Sequence, residues 1–301
     1  MHDTPSSFTT WVAQQRQELE NFLEQRMPPV NQIPHGLHQA MRYATIGGGK
    51  RLRALLTLAT AEMVQADHQT ALLVASSLEL IHAYSLIHDD LPSMDNDSLR
   101  RGKPTCHVQF GEATAVLAGD ALQSLAFQWL SEPTSGMPSA SALTQVRLLA
   151  IASGSRGMAG GQAIDLASVG MPLSLPELEA MHLKKTGALI RAAILMGTHC
   201  GGASLSDNEQ QSLTHFANRL GLLYQIVDDI LDNTSDSATL GKTPGKDDAE
   251  CKATYVTLLG LSEARSKAQE VLNEALDTLS RLSHDSQHLQ ALTQQIYARH
   301  H

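Results

Sequence analysis

Cysteine is scarce in this chain: Cys106, Cys200 and Cys251 are the only three in 301 residues. The number is odd and no Cys-x-x-Cys pair occurs, so neither a disulfide framework nor a thiolate zinc pattern is visible, which suits a reducing, cytoplasmic setting. Aromatics make up only 4% of the chain, while Ala and Leu are plentiful. That composition disfavours a β-sandwich, whose strands want aromatic and β-branched residues, and favours helices. There is no basic excess either. Lys and Arg number 22 against 31 Asp and Glu, for a net charge of -9, which argues against a nucleic-acid partner. Long uninterrupted apolar runs are missing too. The longest, about 71–87, contains Glu79, His82 and Ser85 and reads as a core helix, so stable membrane insertion is not expected. Met1 to Gln25 holds no apolar h-region and no small-residue cleavage site, so no secretory signal is expected. Strand pairs with hairpin turns and short internal repeats are also lacking.

What remains is a helical pattern. Apolar periodicity predicts helices over 8–26, 37–46, 53–66, 70–88, 114–130, onward from 142, and over 176–196, 207–236, 255–282 and 288–299. Ser131 to Ser141 is the weakest stretch, but the helical pattern resumes directly after it. One domain spanning 1–301 is therefore expected.

Two of these helices end alike. His88-Asp89-Asp90-Leu91-Pro92-Ser93-Met94-Asp95 closes one, and Gln225-Ile226-Val227-Asp228-Asp229-Ile230-Leu231-Asp232 lies in another. Carboxylates so close repel one another, and partial burial raises that cost. A single cluster reads as a solvated acidic helix end. Two of them after apolar runs, each with basic residues nearby, point to a hard divalent cation with oxygen ligands, above all Mg²⁺. Pro92 interrupts the first helix and lets Asp95 turn back toward Asp89. His82, Ser85 and Asp89 fall at i, i+3, i+7 along one helical face.

Basic residues accompany the acids. Gly47-Gly48-Gly49-Lys50-Arg51-Leu52-Arg53 can offer backbone N–H groups and cations to an anion, although it is no Walker A loop, since Arg follows the lysine. Arg100-Arg101-Gly102-Lys103 follows the first cluster, where the arginines either neutralise the aspartates or bind phosphate. Lys184-Lys185-Thr186 lies on a helix that begins near Pro176. Gly157, Gly160 and Gly161 permit close helix approach, with Gln162 and Asp165 on the next turn. Residues 240–248 read as a lid loop from which Lys242 reaches a phosphate.

Together these stretches resemble the trans-isoprenyl diphosphate synthase family over nearly the whole chain, from Gly47 to Tyr255, and most closely its C15-producing bacterial members. The most specific features are Asp-Asp-x4-Asp at 89–95 followed by Leu-Arg-Arg-Gly-Lys-Pro-Thr, and Asp-Asp-Ile-Leu-Asp at 228–232 preceded by Gln225. The resemblance implies an all-α isoprenoid synthase bundle around a deep cavity, acting as a homodimer. It implies head-to-tail condensation of isopentenyl diphosphate with dimethylallyl diphosphate and then geranyl diphosphate. Three Mg²⁺ ions per site are implied, with Mn²⁺ as a substitute, and Asp89, Asp95 and Asp228 as their ligands. Asp90, Asp229 and Asp232 are further catalytic motif residues, acting by orientation or through bound water.

By the same resemblance Arg100, Lys185, Lys242 and Lys252 hold diphosphate. Thr186 and Gln225 stand beside the allylic carbon. Lys50, Arg53, His82 and Arg101 form a separate metal-free site for isopentenyl diphosphate. Tyr84 and Ser85, five and four residues ahead of Asp89, form the floor that limits chain length, and an aromatic at the fifth position resembles the C15 producers. Helix geometry alone does not select Tyr84, which lies about 140° around the wheel from Asp89. Asn96, Ser98 and Tyr224 depart from the usual pattern without replacing a proposed ligand. Rival readings are a geranylgeranyl diphosphate synthase, a non-catalytic prenyl-diphosphate-binding subunit and a terpene cyclase.

Overall fold

A computed structural model describes residues 4–132, 137–171, 173–234 and 253–300. Helices α1 (Thr4–Arg26), α2 (His35–Thr45) and α3 (Leu52–Met63) lead into α4 (His68–Asp89). α4 is apolar nearly all round because it is enclosed, packing against α1, α2, α3 and α10 (Ala188–Gly197) and most extensively against α6 (Glu112–Ser131). By length and composition α4 would pass as a membrane span, yet 83% of its most apolar window is buried in the bundle. Asp67 starts it, accepting a hydrogen bond from the Thr70 N–H at 2.8 Å.

After α4 come a short turn, strands β1 (Leu99–Arg100) and β2 (Lys103–Pro104), α5 (Cys106–Phe110) and α6. Then follow α7 (Ser139–Ser153), α8 (Met158–Ala167), α9 (Leu175–His182), α10, α11 (Asp207–Thr234), α12 (Tyr255–Leu259), α13 (Leu261–Ser280) and α14 (Gln287–Tyr297). A 3₁₀ turn, Ala298–His300, ends the described chain. The main core is apolar and continuous, and its largest fully buried side chains include Tyr255, Phe216, Leu19 and Leu23.

Three expectations are corrected. The chain does pair strands: Leu99 and Arg100 lie antiparallel to Pro104 and Lys103. Two residues a side are too few for an alternating pattern to be visible in the sequence. The helix expected over 255–282 is two helices, broken at Gly260, whose φ of 83° suits glycine and few other residues. The helix expected over 176–196 is interrupted by a π-helical turn, Leu183–Gly187, between α9 and α10. A π turn inside a helix recurs at functional sites, and this one carries Lys185 and Thr186.

Close backbone approach holds that turn in place. A Cβ on Gly161 of α8 would stand 2.1 Å from the Lys185 N, and one on Gly221 of α11 would stand 2.9 Å from the Gly187 Cα. Only glycine admits this crossing. Gly157 likewise lies against the last turn of α7, a Cβ there standing 2.1 Å from the Ala152 carbonyl oxygen, whereas Gly160 meets the backbone of Ser155 in the α7–α8 connection instead of a helix.

Candidate active site

A cavity of about 630 Å³ opens where the C-terminal end of α4 meets α11, and both aspartate clusters line it. Asp89 and Asp95 come from the first, and Asp228, Asp229 and Asp232 from the second. The turn after α4 brings Asp95 back, as expected: its N–H donates to the Asp89 carbonyl at 2.8 Å, and Asn96 adopts a left-handed φ of 51°. Burial pushes the Asp89 carboxyl up to about 6, with Lys185 opposing the rise and Asp95 adding to it.

Asp90 departs from the rest. It is 3% exposed and faces away from this cavity into a smaller one beside it. Arg100 Nε donates to both of its carboxylate oxygens at 2.8 Å. Arg100 thus neutralises an aspartate, and its guanidinium also lines the main cavity. Asp229 is similarly fixed, accepting from the Tyr255 N–H at 2.7 Å and from Gln225 Nε2 at 3.0 Å. Burial raises it to about 7 against those bonds.

Lys185 and Thr186 line the cavity from the π turn, and Lys185 Nζ pairs with Asp165 of α8 at 2.5 Å. Arg53 of α3 and His82 of α4 line it as well. Burial holds His82 well below its ordinary value, with the Arg53 charge adding to the effect, so the ring is neutral at pH 7. Arg101 lines the smaller cavity, with its guanidinium over Gly48 and Gly49; a Cβ on Gly49 would stand 2.6 Å from it. Lys50, largely exposed, ends this loop, and the part of it that is buried, with the Arg299 charge, lowers its pKa.

The loop itself is tied down by Arg51, a cation of the glycine motif that turns inward to two carboxylates. Arg51 stands in a left-handed conformation, φ 52° and ψ 30°, and is 6% exposed. Its guanidinium donates to Glu20 at 2.8 Å, Glu79 at 3.0 Å and the Thr45 carbonyl at 2.6 Å. Glu79 also accepts from the Ala54 N–H at 3.2 Å, and Glu20 from the Gly47 N–H at 3.0 Å. Both sides of the glycine turn are thus pinned to one buried ion network.

Tyr84 and Ser85 both line the cavity, despite the position of Tyr84 on the helical wheel. The Ser85 hydroxyl donates to the His82 carbonyl at 2.8 Å. Lys242 and Lys252 lie outside the described residues. Arg299 was not anticipated. It reaches Asp228 at 3.3 Å and stands over the Tyr224 ring at 5.2 Å. His182, also unanticipated, lines the cavity in neutral form, held down to about 4 by burial, and stacks on Tyr255 at 6.0 Å. No local spacing signals either residue, because each meets the site only through tertiary packing.

The architecture is the all-α isoprenoid synthase fold. The chain belongs to the polyprenyl synthetase family, whose model matches residues 34–296. It is 46% identical over 279 residues to a farnesyl diphosphate synthase of Haemophilus influenzae, covering 93% of this chain and 94% of that protein. It is 44% identical to the large subunit 1 of a chloroplastic heterodimeric geranylgeranyl pyrophosphate synthase of Arabidopsis thaliana, covering 91% of this chain and 75% of that one. A geranyltransferase of Helicobacter pylori, solved in complex with magnesium and isoprenyl diphosphate, superposes with a TM-score of 0.83 at 34% identity, over 99% of this chain and 98% of that one.

Proposed function

We propose that this chain is a farnesyl diphosphate synthase. It condenses isopentenyl diphosphate with dimethylallyl diphosphate and then with geranyl diphosphate, head to tail, releasing pyrophosphate. The observation that carries this function is that two aspartate clusters far apart in sequence line one cavity, beside the cations Arg53, Arg100 and Lys185.

The acids suit Mg²⁺. Buried carboxylates with raised pKa values, Asp89 at about 6, gain from a nearby cation. Among the described residues no three acidic or histidine groups converge on one point. Mg²⁺ characteristically takes one or two protein carboxylates and completes its shell with water and substrate phosphate. Asp89, Asp95 and Asp228 would hold the ions, three per site, with Mn²⁺ as a substitute. When bound, Mg²⁺ neutralises the diphosphate and assists its departure.

The chain's own groups do the rest. Lys185 supplies a fixed cation to the allylic diphosphate, with Arg100, oriented by Asp90, beside it. Thr186 and Gln225 direct oxygen dipoles at the allylic carbon as it becomes positive. Asp229 orients Gln225, and with Asp232 completes the second cluster. Arg53, Lys50 and Arg101 hold isopentenyl diphosphate, and neutral His82 donates a hydrogen bond without adding charge. Met94, Met158 and Met181 line the cavity and keep water from the cation. Tyr84 bounds the depth available to the product. The departing pyrophosphate accepts the final proton, so no side chain is assigned as base.

A cytoplasmic homodimer without membrane insertion completes this function. Burial of α4 supports the last point, and exposed Val108, Val116 and Leu117 on α5 and α6 support a protein partner. The resemblance to a geranylgeranyl synthase subunit favours C20 formation as the alternative. Purified protein is to be incubated with isopentenyl diphosphate, Mg²⁺ and either dimethylallyl or geranyl diphosphate, and the dephosphorylated products separated by length. A C15 alcohol from both starters is expected. A C20 product would favour the alternative, and no product from folded, chelator-free dimer would overturn both.

A further inference from the structure

One turn after Tyr84, at i+4 on α4, stands His88. The two rings meet edge to face, with centroids 5.6 Å apart and planes at 78°. Both line the main cavity. His88 is held from behind by α6. Its Nε2 lies 3.1 Å from the Val116 carbonyl, a contact in which it is the donor, and 4.0 Å from the Asp120 carboxylate.

α6 also leaves a gap for this ring. A Cβ on Gly119 would stand 2.1 Å from His88 Nε2 and 2.6 Å from Cδ2. Glycine inside a helix weakens it, so the position has a cost that the seated imidazole explains. Gln123 follows on the same face of α6, and its side chain engages the Tyr84 hydroxyl. Val116, Gly119 and Gln123, at i, i+3 and i+7, thus form one rack behind the two rings.

We infer that His88 is a specificity-determining residue: seated in the Gly119 notch and tethered to the Val116 carbonyl, it backs the Tyr84 ring and sets the depth at which a growing prenyl chain stops. This rests on the synthase function proposed above. A tyrosine on a helix has more than one staggered rotamer, and a lengthening tail can push an unsupported ring from one to another. The imidazole stands edge to face against the Tyr84 ring and opposes such a swing, which denies the next five carbons their room.

The test compares wild type, His88→Ala and Gly119→Ala on geranyl and dimethylallyl diphosphate, each with isopentenyl diphosphate and Mg²⁺, by product length. Product length reports the cavity and is not moved by a simple loss of stability. Wild type is expected to stop at C15. His88→Ala is expected to raise the C20:C15 ratio about tenfold, in keeping with loss of one aromatic contact. Gly119→Ala drives a methyl into the imidazole and is expected to act oppositely, releasing more C10 from dimethylallyl diphosphate. A wild-type ratio in His88→Ala overturns the role of His88 while leaving the synthase function standing. A wild-type enzyme that itself makes C20 overturns the floor altogether.

Discussion

Arg299 and Asp228 are 71 positions apart, and their side chains meet at 3.3 Å at the edge of the cavity. The same guanidinium lies over Tyr224, and its Nε and Nη1 are buried without a hydrogen-bond partner among the described residues. A cation with unused donors beside a diphosphate cavity has capacity for phosphate oxygens. Arg299→Ala is expected to lower kcat/KM by about 10- to 100-fold, the worth of one charge-assisted hydrogen bond. Steady-state kinetics on each diphosphate separately will check this, and a value within about twofold of wild type would remove Arg299 from substrate binding.

Asp89→Ala and Asp228→Ala are each expected to cut turnover by on the order of 10³-fold, since each removes a proposed ligand for charge-neutralising metal. Chelation by EDTA should abolish product formation, and Mg²⁺ or Mn²⁺ should restore it. Near-normal turnover in either variant would take that residue out of the metal site.

Glu79→Ala should act on stability. Glu79 and Arg51 are 3% and 5% exposed at their side chains, so removing the acid leaves a buried charge without its main partner. Burial works against the Arg51 charge, but Glu79 and Glu20 outweigh it and raise the guanidinium pKa. The expected loss is about 3–5 kcal/mol by urea denaturation, with a rise in KM for isopentenyl diphosphate as the Gly47–Lys50 loop loosens. A loss below about 1 kcal/mol would show the network to be dispensable.

Glu209 gives a pH dependence. Hydrogen bonds from Ser283 and Ser206 hold its carboxyl at about 2, below its ordinary 4.5. A depressed folded-state pKa means that the contribution is fully present above 4.5 and is lost as pH falls toward 2. Wild type should therefore melt above Glu209→Gln at pH 6, with the gap closing between pH 4.5 and 2. A gap constant across that range would exclude the ionised carboxylate as its source.

Much of this molecule follows from residue order. Helices form where apolar residues recur at helical spacing, because that spacing puts them on one buried face, and α1, α4, α6 and α11 lie within a few residues of their expected limits. The aspartate clusters are equally legible as groups that need compensation, since adjacent carboxylates repel whatever surrounds them. The π turn at Lys185, the break at Gly260, the inward turn of Asp90 onto Arg100 and the arrival of Arg299 at Asp228 are not. Each depends on which backbone or charge lies across the gap: Gly161 against Lys185, for instance, or α6 behind His88. Local sequence determined which groups this protein carries and on which helical faces. Tertiary packing alone decided which of those groups share a cavity, because contacts between distant segments are set by how buried surfaces fit together and not by spacing along the chain.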